Sequence, residues 1–182
     1  ERIIDRIGEA WFREQIQLFG FGVKTKIELP AESAGVVPTP GKRHPNGTLE
    51  WSTPTPFSIA MGYNLQSNSI QIARALSVLA NGGYLNQPTL VRKIVKKSKD
   101  GKQEVLIDHT QELNPYPYPQ IIDESIAKRV VEAMCFVNKH GGTAVKANVP
   151  GYKIAGKTST PKKIVNGRYS EKLYCPIYGG IA

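Results

Sequence analysis

The sequence holds little that speaks for a metal, a disulfide framework or a membrane span. Among its 182 residues are two cysteines and three histidines. Cys135 and Cys175 fit no metal-ligand spacing, and His44, His109 and His140 are scattered, with no second ligand at zinc-like distance. No metal site and no cofactor is implied. A buried thiol is the simpler reading for each cysteine, with a disulfide left open. No apolar run approaches the ~18 residues of a spanning helix, and no signal peptide is present. Repeats and low-complexity tracts are also missing. The chain lacks a starting Met, opens already in helical period and stops on "CPIYGGIA", which reads as an unfinished strand. Both ends read as cut, so a partial domain is expected.

What is present is an ordinary globular composition: hydrophobic residues are 40% and charged residues 21%. The length is that of one domain and is enough to bury one real core, and the composition argues against disorder over most of the chain. The net charge is +9 and the pI about 9.6. Such a balance suits anionic partners and says little about fold. Arg92, Lys93, Lys96, Lys97, Lys99 and Lys102 crowd around one "KDGK" turn. No aromatics interleave there, which argues for a solvated hairpin tip and against single-stranded nucleic acid. A nucleic-acid module would show steeply salt-dependent binding; none is expected.

Ile3, Ile7, Ala10 and Trp11 share a helical face, with Gly20 as the stop. "LPAESAGVVPTPGKRHPNGTLEWSTPTP" reads as a long surface loop with a turn at Asn46-Gly47; Asn46-Gly47-Thr48 is also a glycosylation sequon by letters. Asn68 caps a second helix, with Ile72, Ala73, Leu76, Leu79 and Ala80 as its buried face and Gly82 as its end. "TLVRKIVKKSKDGKQEVLID" is a hairpin about Asp100-Gly101, and "NPYPYPQ" breaks the chain. A third helix runs from Asp123 toward Gly141, striped by Ile126, Val130, Met134 and Val137. The end reads as two strands joined by an Asn166-Gly167 turn. Helices with hairpin-linked strands point to an α/β (α+β) fold with an antiparallel sheet.

From Gly151, the chain spells G-x-x-x-x-G-K-T, the letters of a phosphate-binding P-loop. That chemistry needs a strand before the first glycine, a flexible loop, and a helix whose N-terminal amides hold the phosphates. "KHGGTAVKANVP" is no buried strand, "YKIA" alternates like a strand, and Thr-Ser-Thr-Pro follows Lys157 where a helix should open. "VLID", ending at Asp108, could pass for a Walker B strand, but it precedes the motif it usually follows. The nucleotide reading is set aside. A strand over 152–160 instead gathers Lys157, Thr158, Ser159 and Thr160 at its end. A lysine beside hydroxyls suits a carboxylate, through charge-assisted hydrogen bonds of about 1.5–3 kcal/mol each. An open strand edge can also pair with an extended peptide.

"GYKIAGKTSTPKKIVNGRYSEKLYCPIYGGIA" resembles the third active-site motif of penicillin-binding proteins, Lys-Thr/Ser-Gly-Thr, and the strand after it. "FGFGVKTKIELPAESAG", "AMGYNLQSNSIQIARALSVLANGG", "NGGYLNQPTLVRKI" and "HGGTAVKANVPGYKIAGKTS" resemble class B members in the same order, over nearly the whole chain. "GYN" and "TPKK…NGRY" look most like the division-specific transpeptidase. The resemblance implies a penicillin-binding protein/β-lactamase-like fold, with residues 1–182 the C-terminal part of a transpeptidase domain. Lys157 would take part in proton transfer and attract the substrate carboxylate. The hydroxyls of Thr158 and Thr160 would hold the terminal carboxylate of a D-Ala-D-Ala stem peptide or a β-lactam. The Thr160 backbone N–H would be an oxyanion-hole donor. The partners implied are peptidoglycan stem peptides, β-lactams and cell-division or elongation membrane proteins. The intact protein would be anchored in the bacterial inner membrane with this region outside the cytoplasm.

Two departures stand out. Ser159 occupies the position of the family's glycine, so its side chain must fit or push where glycine allows close approach. No Ser-x-Asn occurs, and Ser-x-x-Lys occurs only at Ser125…Lys128 and Ser159…Lys162, far from where the family places its nucleophile. Both are read as decoys. The chain is expected to carry the substrate-anchoring wall without the nucleophile. The alternative on the same fold is a β-lactam sensor or an idle binding domain.

Overall fold

The computed structural model describes residues 6–109 and 118–182. Ile3 and most of "NPYPYPQ" lie outside the described residues. The helical period at the start does not run through: Gly8, at φ 79°, leaves the right-handed region, and helix α1 spans Glu9–Leu18. Gly20 ends it, its N–H reaching the Gln17 carbonyl at 2.9 Å. Trp11 stays exposed while Trp51 is buried, its indole N–H on the Glu9 carboxylate at 3.1 Å.

The long loop is irregular as expected, but side chains fix it. The Glu32 carboxylate accepts from the Thr25 N–H (2.8 Å), the Thr25 hydroxyl (2.6 Å) and the Lys26 N–H (3.0 Å). These bonds, led by the Thr25 hydroxyl, hold its pKa below the usual carboxylate value. The loop ends in a short helix α2, Thr55–Ala60, not foreseen in the Pro-rich stretch. Proline is tolerated in a helix's first turn, which is where Pro56 falls.

Helix α3 covers Ser69–Ala80 and begins as expected at Asn68, in a reciprocal capping box with Gln71. Its expected buried face is not the buried one. Gln71 and Val78 are the buried residues, and Ile72, Leu76 and Leu79 are only partly covered. The reason is polar: the Gln71 amide donates to the Val23 and Ala34 carbonyls, both at 2.8 Å, and pins the loop to the helix. The aliphatic stripe is left to line a cleft.

Strands β1 (Lys93–Lys97) and β2 (Gln103–Asp108) form the expected hairpin about Asp100-Gly101. Helix α4 spans Glu124–Met134, with Asp123 at its N-cap making no side-chain cap bond, and a 3-10 turn follows at Cys135–Asn138. A second 3-10 turn, Val145–Ala147, leads toward the last strands.

The two strands expected at the end are four. Strand β3 is Ala155–Ser159, shorter than expected, and pairs with β6, Ile177–Ile181. Nested between them, β4 (Lys162–Val165) pairs with β5 (Arg168–Tyr174) about Asn166-Gly167. Pro161 and Pro176 interrupt the two arms at matching places, since proline cannot donate to a ladder. The Cys175 N–H closes the joint on the Pro161 carbonyl at 2.9 Å. Both cysteines are free, and Cys175 is exposed rather than buried.

Among the described residues, the named strands pair antiparallel in three separate pairs. Helix α3 packs on α4 and β6, and α4 packs on β3. The buried apolar set is small: Ile27, Trp51, Ile59, Val78, Ala127, Cys135, Ala144 and Ala155. A compact protein of this mass would expose about 8,700 Å². This chain exposes 13082 Å², so much of its apolar surface stays uncovered.

Candidate active site

Lys157, Thr158 and Ser159 form the C-terminal half of β3, and Thr160 follows it directly. The first half is small and buried for a steric reason. The Tyr178 ring on β6 lies against Gly156: a β-carbon there would stand 2.2 Å from the Tyr178 hydroxyl. The glycine that spelled a P-loop therefore makes room for a neighbouring strand's tyrosine. From below, the buried Asn138 amide donates to the Ile154 carbonyl at 3.0 Å and sits 3.0 Å from the Tyr178 hydroxyl. Strand β3 is thus fixed by β6 on one edge and by the turn after α4 beneath. Its other edge has no strand partner among the described residues.

Strand alternation separates the candidate side chains. Lys157 and Ser159 face a cleft of about 950 Å³. Its far wall is the aliphatic stripe of α3 (Ile72, Leu76, Leu79) with Phe19, Phe21 and Val36. The Lys157 ammonium donates to the Thr158 carbonyl. Among the described residues no carboxylate pairs with Lys157, so its charge is free for an anionic ligand. Thr158 is half-buried and points elsewhere: its hydroxyl meets that of Thr143 at 2.8 Å. Thr160 is exposed and does not line the cleft.

The lysine also borders a second hollow, of about 640 Å³. The α4 stripe Ile126, Val130 and Met134, with Val137 of the following turn, lines it. That stripe forms a surface beside the site rather than a core. The β4–β5 hairpin overhangs the first cleft through Lys162, Ile164 and Tyr169. Tyr169 packs edge-on against Tyr63, with ring centres 5.0 Å apart, and its hydroxyl reaches the Asn64 side-chain oxygen at 3.4 Å.

The two Ser-x-x-Lys strings show no nucleophile–base pairing. Lys128 is bound to Glu124 at 2.6 Å, and Ser125 is exposed. Lys162 is bound to Glu171 at 2.7 Å, a hydrogen bond that raises its pKa above the usual lysine value. A lysine serving as base needs the opposite shift. Thr143 lies in "HGGT", Tyr63 and Asn64 in "GYN" and Tyr169 in "NGRY", all stretches that carry the family resemblance, but no contact or role for any of the four was legible in the sequence. Their roles depend on pairings across 15 and about 105 residues of chain, which no local pattern carries.

Comparison with known proteins gives a consistent result. The family profile described as "Penicillin binding protein transpeptidase domain" matches residues 1–177. The chain is 30% identical over 177 residues to a probable peptidoglycan D,D-transpeptidase, PbpC, of Pseudomonas aeruginosa, covering 97% of this chain and 26% of that protein. It is 30% identical over 178 residues to stage V sporulation protein D of Bacillus subtilis, covering 98% and 25%. The crystal structure of penicillin binding protein 3 of Mycobacterium tuberculosis, complexed with ampicillin, superposes with a TM-score of 0.78 at 27% identity. That match covers 98% of this chain and 37% of the other. The chain therefore spans about a quarter of the length of the curated relatives it matches. The fold is the penicillin-binding protein/β-lactamase-like α/β fold, in part.

Proposed function

The chain belongs to the penicillin-binding protein transpeptidase family, and from that premise we propose that it supplies the substrate-anchoring wall of a peptidoglycan D,D-transpeptidase. In the intact enzyme, a serine outside these residues would attack the carbonyl between the two terminal D-alanines of a stem peptide. The serine oxygen bonds to that carbon, the peptide C–N bond breaks, and D-Ala leaves with the proton. An amine of a second stem peptide then displaces the serine and completes the cross-link. The intact protein, by the same reading, is membrane-anchored with this domain outside the cytoplasm; no described helix is long and apolar enough to be that anchor.

The observation that carries the reading is Lys157, unpaired by any described carboxylate, at an open strand edge over the cleft. An extended peptide can pair with that edge while Lys157 draws its carboxylate. Thr158 and Thr160 lie outside the lining of the cleft; on the family resemblance they are proposed as hydroxyl donors to that carboxylate once a peptide lies along the open edge of β3, and the Thr160 N–H as an oxyanion donor. Thr143 orients the Thr158 hydroxyl. Ser159 projects into the cleft, so it narrows the room beside the bound peptide or β-lactam. The aliphatic stripe of α3 across the cleft is the surface on which the nucleophile-bearing part of the domain would pack. One related protein, penicillin binding protein 3 of Mycobacterium tuberculosis, has been solved in complex with ampicillin and with aztreonam, which supports β-lactams as ligands of the intact protein.

The test is Lys157→Ala in the intact protein, read as the rate of acylation by a labelled penicillin. The rate should fall by roughly two to four orders of magnitude. The melting temperature should hold, because Lys157 is exposed. Acylation at the wild-type rate would remove Lys157 from the site.

A further inference from the structure

We propose that the outer edge of β1 is a docking site for an acidic, extended segment of a partner protein, which adds to the β1–β2 hairpin as a third strand. Among the described residues, this hairpin packs on no other helix or strand. A two-stranded hairpin standing by itself is marginal in water. Its root is tethered: Glu28 accepts from the Thr89 hydroxyl and the Leu90 N–H, and the His109 N–H reaches the Arg92 carbonyl. Beyond the root, every residue of β1 is exposed, including Ile94 at 41% and Val95 at 40%.

The two edges differ. Strand β2 carries the extra residue of a bulge, since Ile94 pairs with Ile107 and Val95 with Val105, leaving Leu106 over. Bulges blunt an edge against pairing. Strand β1 is unbroken over five residues, and no described strand pairs with its outer side.

Charge selects the partner. Strand β1 reads Lys-Ile-Val-Lys-Lys, with Lys93, Val95 and Lys97 on one face and Ile94 and Lys96 on the other. Edge lysines repel a second copy of the same strand and favour an acidic one. Within the hairpin Lys93 meets Asp108 at 3.5 Å and Lys96 stands across from Glu104, but Lys97 stands across from the uncharged Gln103. The lysines project to both faces, so a flat anionic bilayer would engage only one set. A strand lying in the plane of the hairpin meets both. Matched residue for residue and running antiparallel, that strand reads Glu-Glu-Val-Val-Glu in charge and shape.

The experiment is a titration of the isotope-labelled full chain with a blocked synthetic peptide containing Glu-Glu-Val-Val-Glu, followed by amide chemical shifts. Shifts should concentrate on residues 93–97 at peptide concentrations up to a few millimolar. The apparent affinity should fall as salt rises. Lys96→Glu with Lys97→Glu should weaken it by roughly tenfold while the other amide signals stay in place. The proposal is overturned by no shifts in that range, by equal shifts with a Lys-Lys-Val-Val-Lys peptide, or by shifts produced only by phosphatidylglycerol vesicles.

Discussion

The β1–β2 hairpin turns at Asp100-Gly101 and the β4–β5 hairpin at Asn166-Gly167, and the second rests on the body through its Tyr169 side chain. The first stands on a tethered root and presents lysines outward. The second hangs from the β3–β6 pair at Pro161 and Pro176, with Tyr169 resting on Tyr63 and Asn64. Both turns have a glycine at positive φ, so turn chemistry alone does not decide which hairpin belongs to the site. What decides it is a small number of contacts distant in sequence.

The contrast can be broken most severely at Gly156. Gly156→Val drives a side chain into the Tyr178 ring and displaces β3 from β6, with overpacking worth about 1–3 kcal/mol. Penicillin acylation of the intact protein should drop on the order of a hundredfold, since misplacement of this size is costly to positioned groups. The β1–β2 hairpin should be untouched, as its amide exchange would show. Normal acylation would mean that Tyr178 yields freely and does not position the strand.

A smaller effect is expected at Tyr169. Tyr169→Ala removes an aromatic pair worth about 1 kcal/mol and the contact with Asn64. Hydrogen exchange over residues 162–174 should accelerate by roughly fivefold, with residues 93–108 unchanged. Equal protection in the variant would show that the proline joint alone holds the hairpin.

The smallest effect concerns the loop opposite. The pKa of Glu32 is lowered in the fold, chiefly by the Thr25 hydroxyl. A lowered carboxylate pKa adds stability above its ordinary value, about 4.3, and that stability is lost as pH falls through the folded value. The wild type should therefore melt slightly higher than Glu32→Gln at neutral pH, and the difference should shrink below about pH 4. A pH-independent difference would assign the effect to packing.

Much of this was legible in the sequence where the determinants are local. The Asn68 cap, the Asp100-Gly101 turn and the strand character of the lysine motif all follow from neighbouring residues. The buried side of α3 did not, because Gln71 is buried by carbonyls of a distant loop rather than by hydrophobicity. The nested strands were hidden by treating Pro161 and Pro176 as ordinary positions in two long arms. The motif residues could be named, but not their directions: Thr158 turns to Thr143, and only Lys157 and Ser159 face the cleft. The α3 stripe, read as buried, lines an open cleft instead, and the α4 stripe lines a second hollow, so both leave apolar surface uncovered.

The central claim is that these residues anchor the substrate while the nucleophile lies elsewhere. Its most direct test is to acylate the intact protein with a labelled penicillin, digest it and locate the acyl group by mass spectrometry. The label is predicted on a serine outside residues 1–182, and the chain alone should remain unlabelled. Stoichiometric label on Ser125 or Ser159 would contradict the claim.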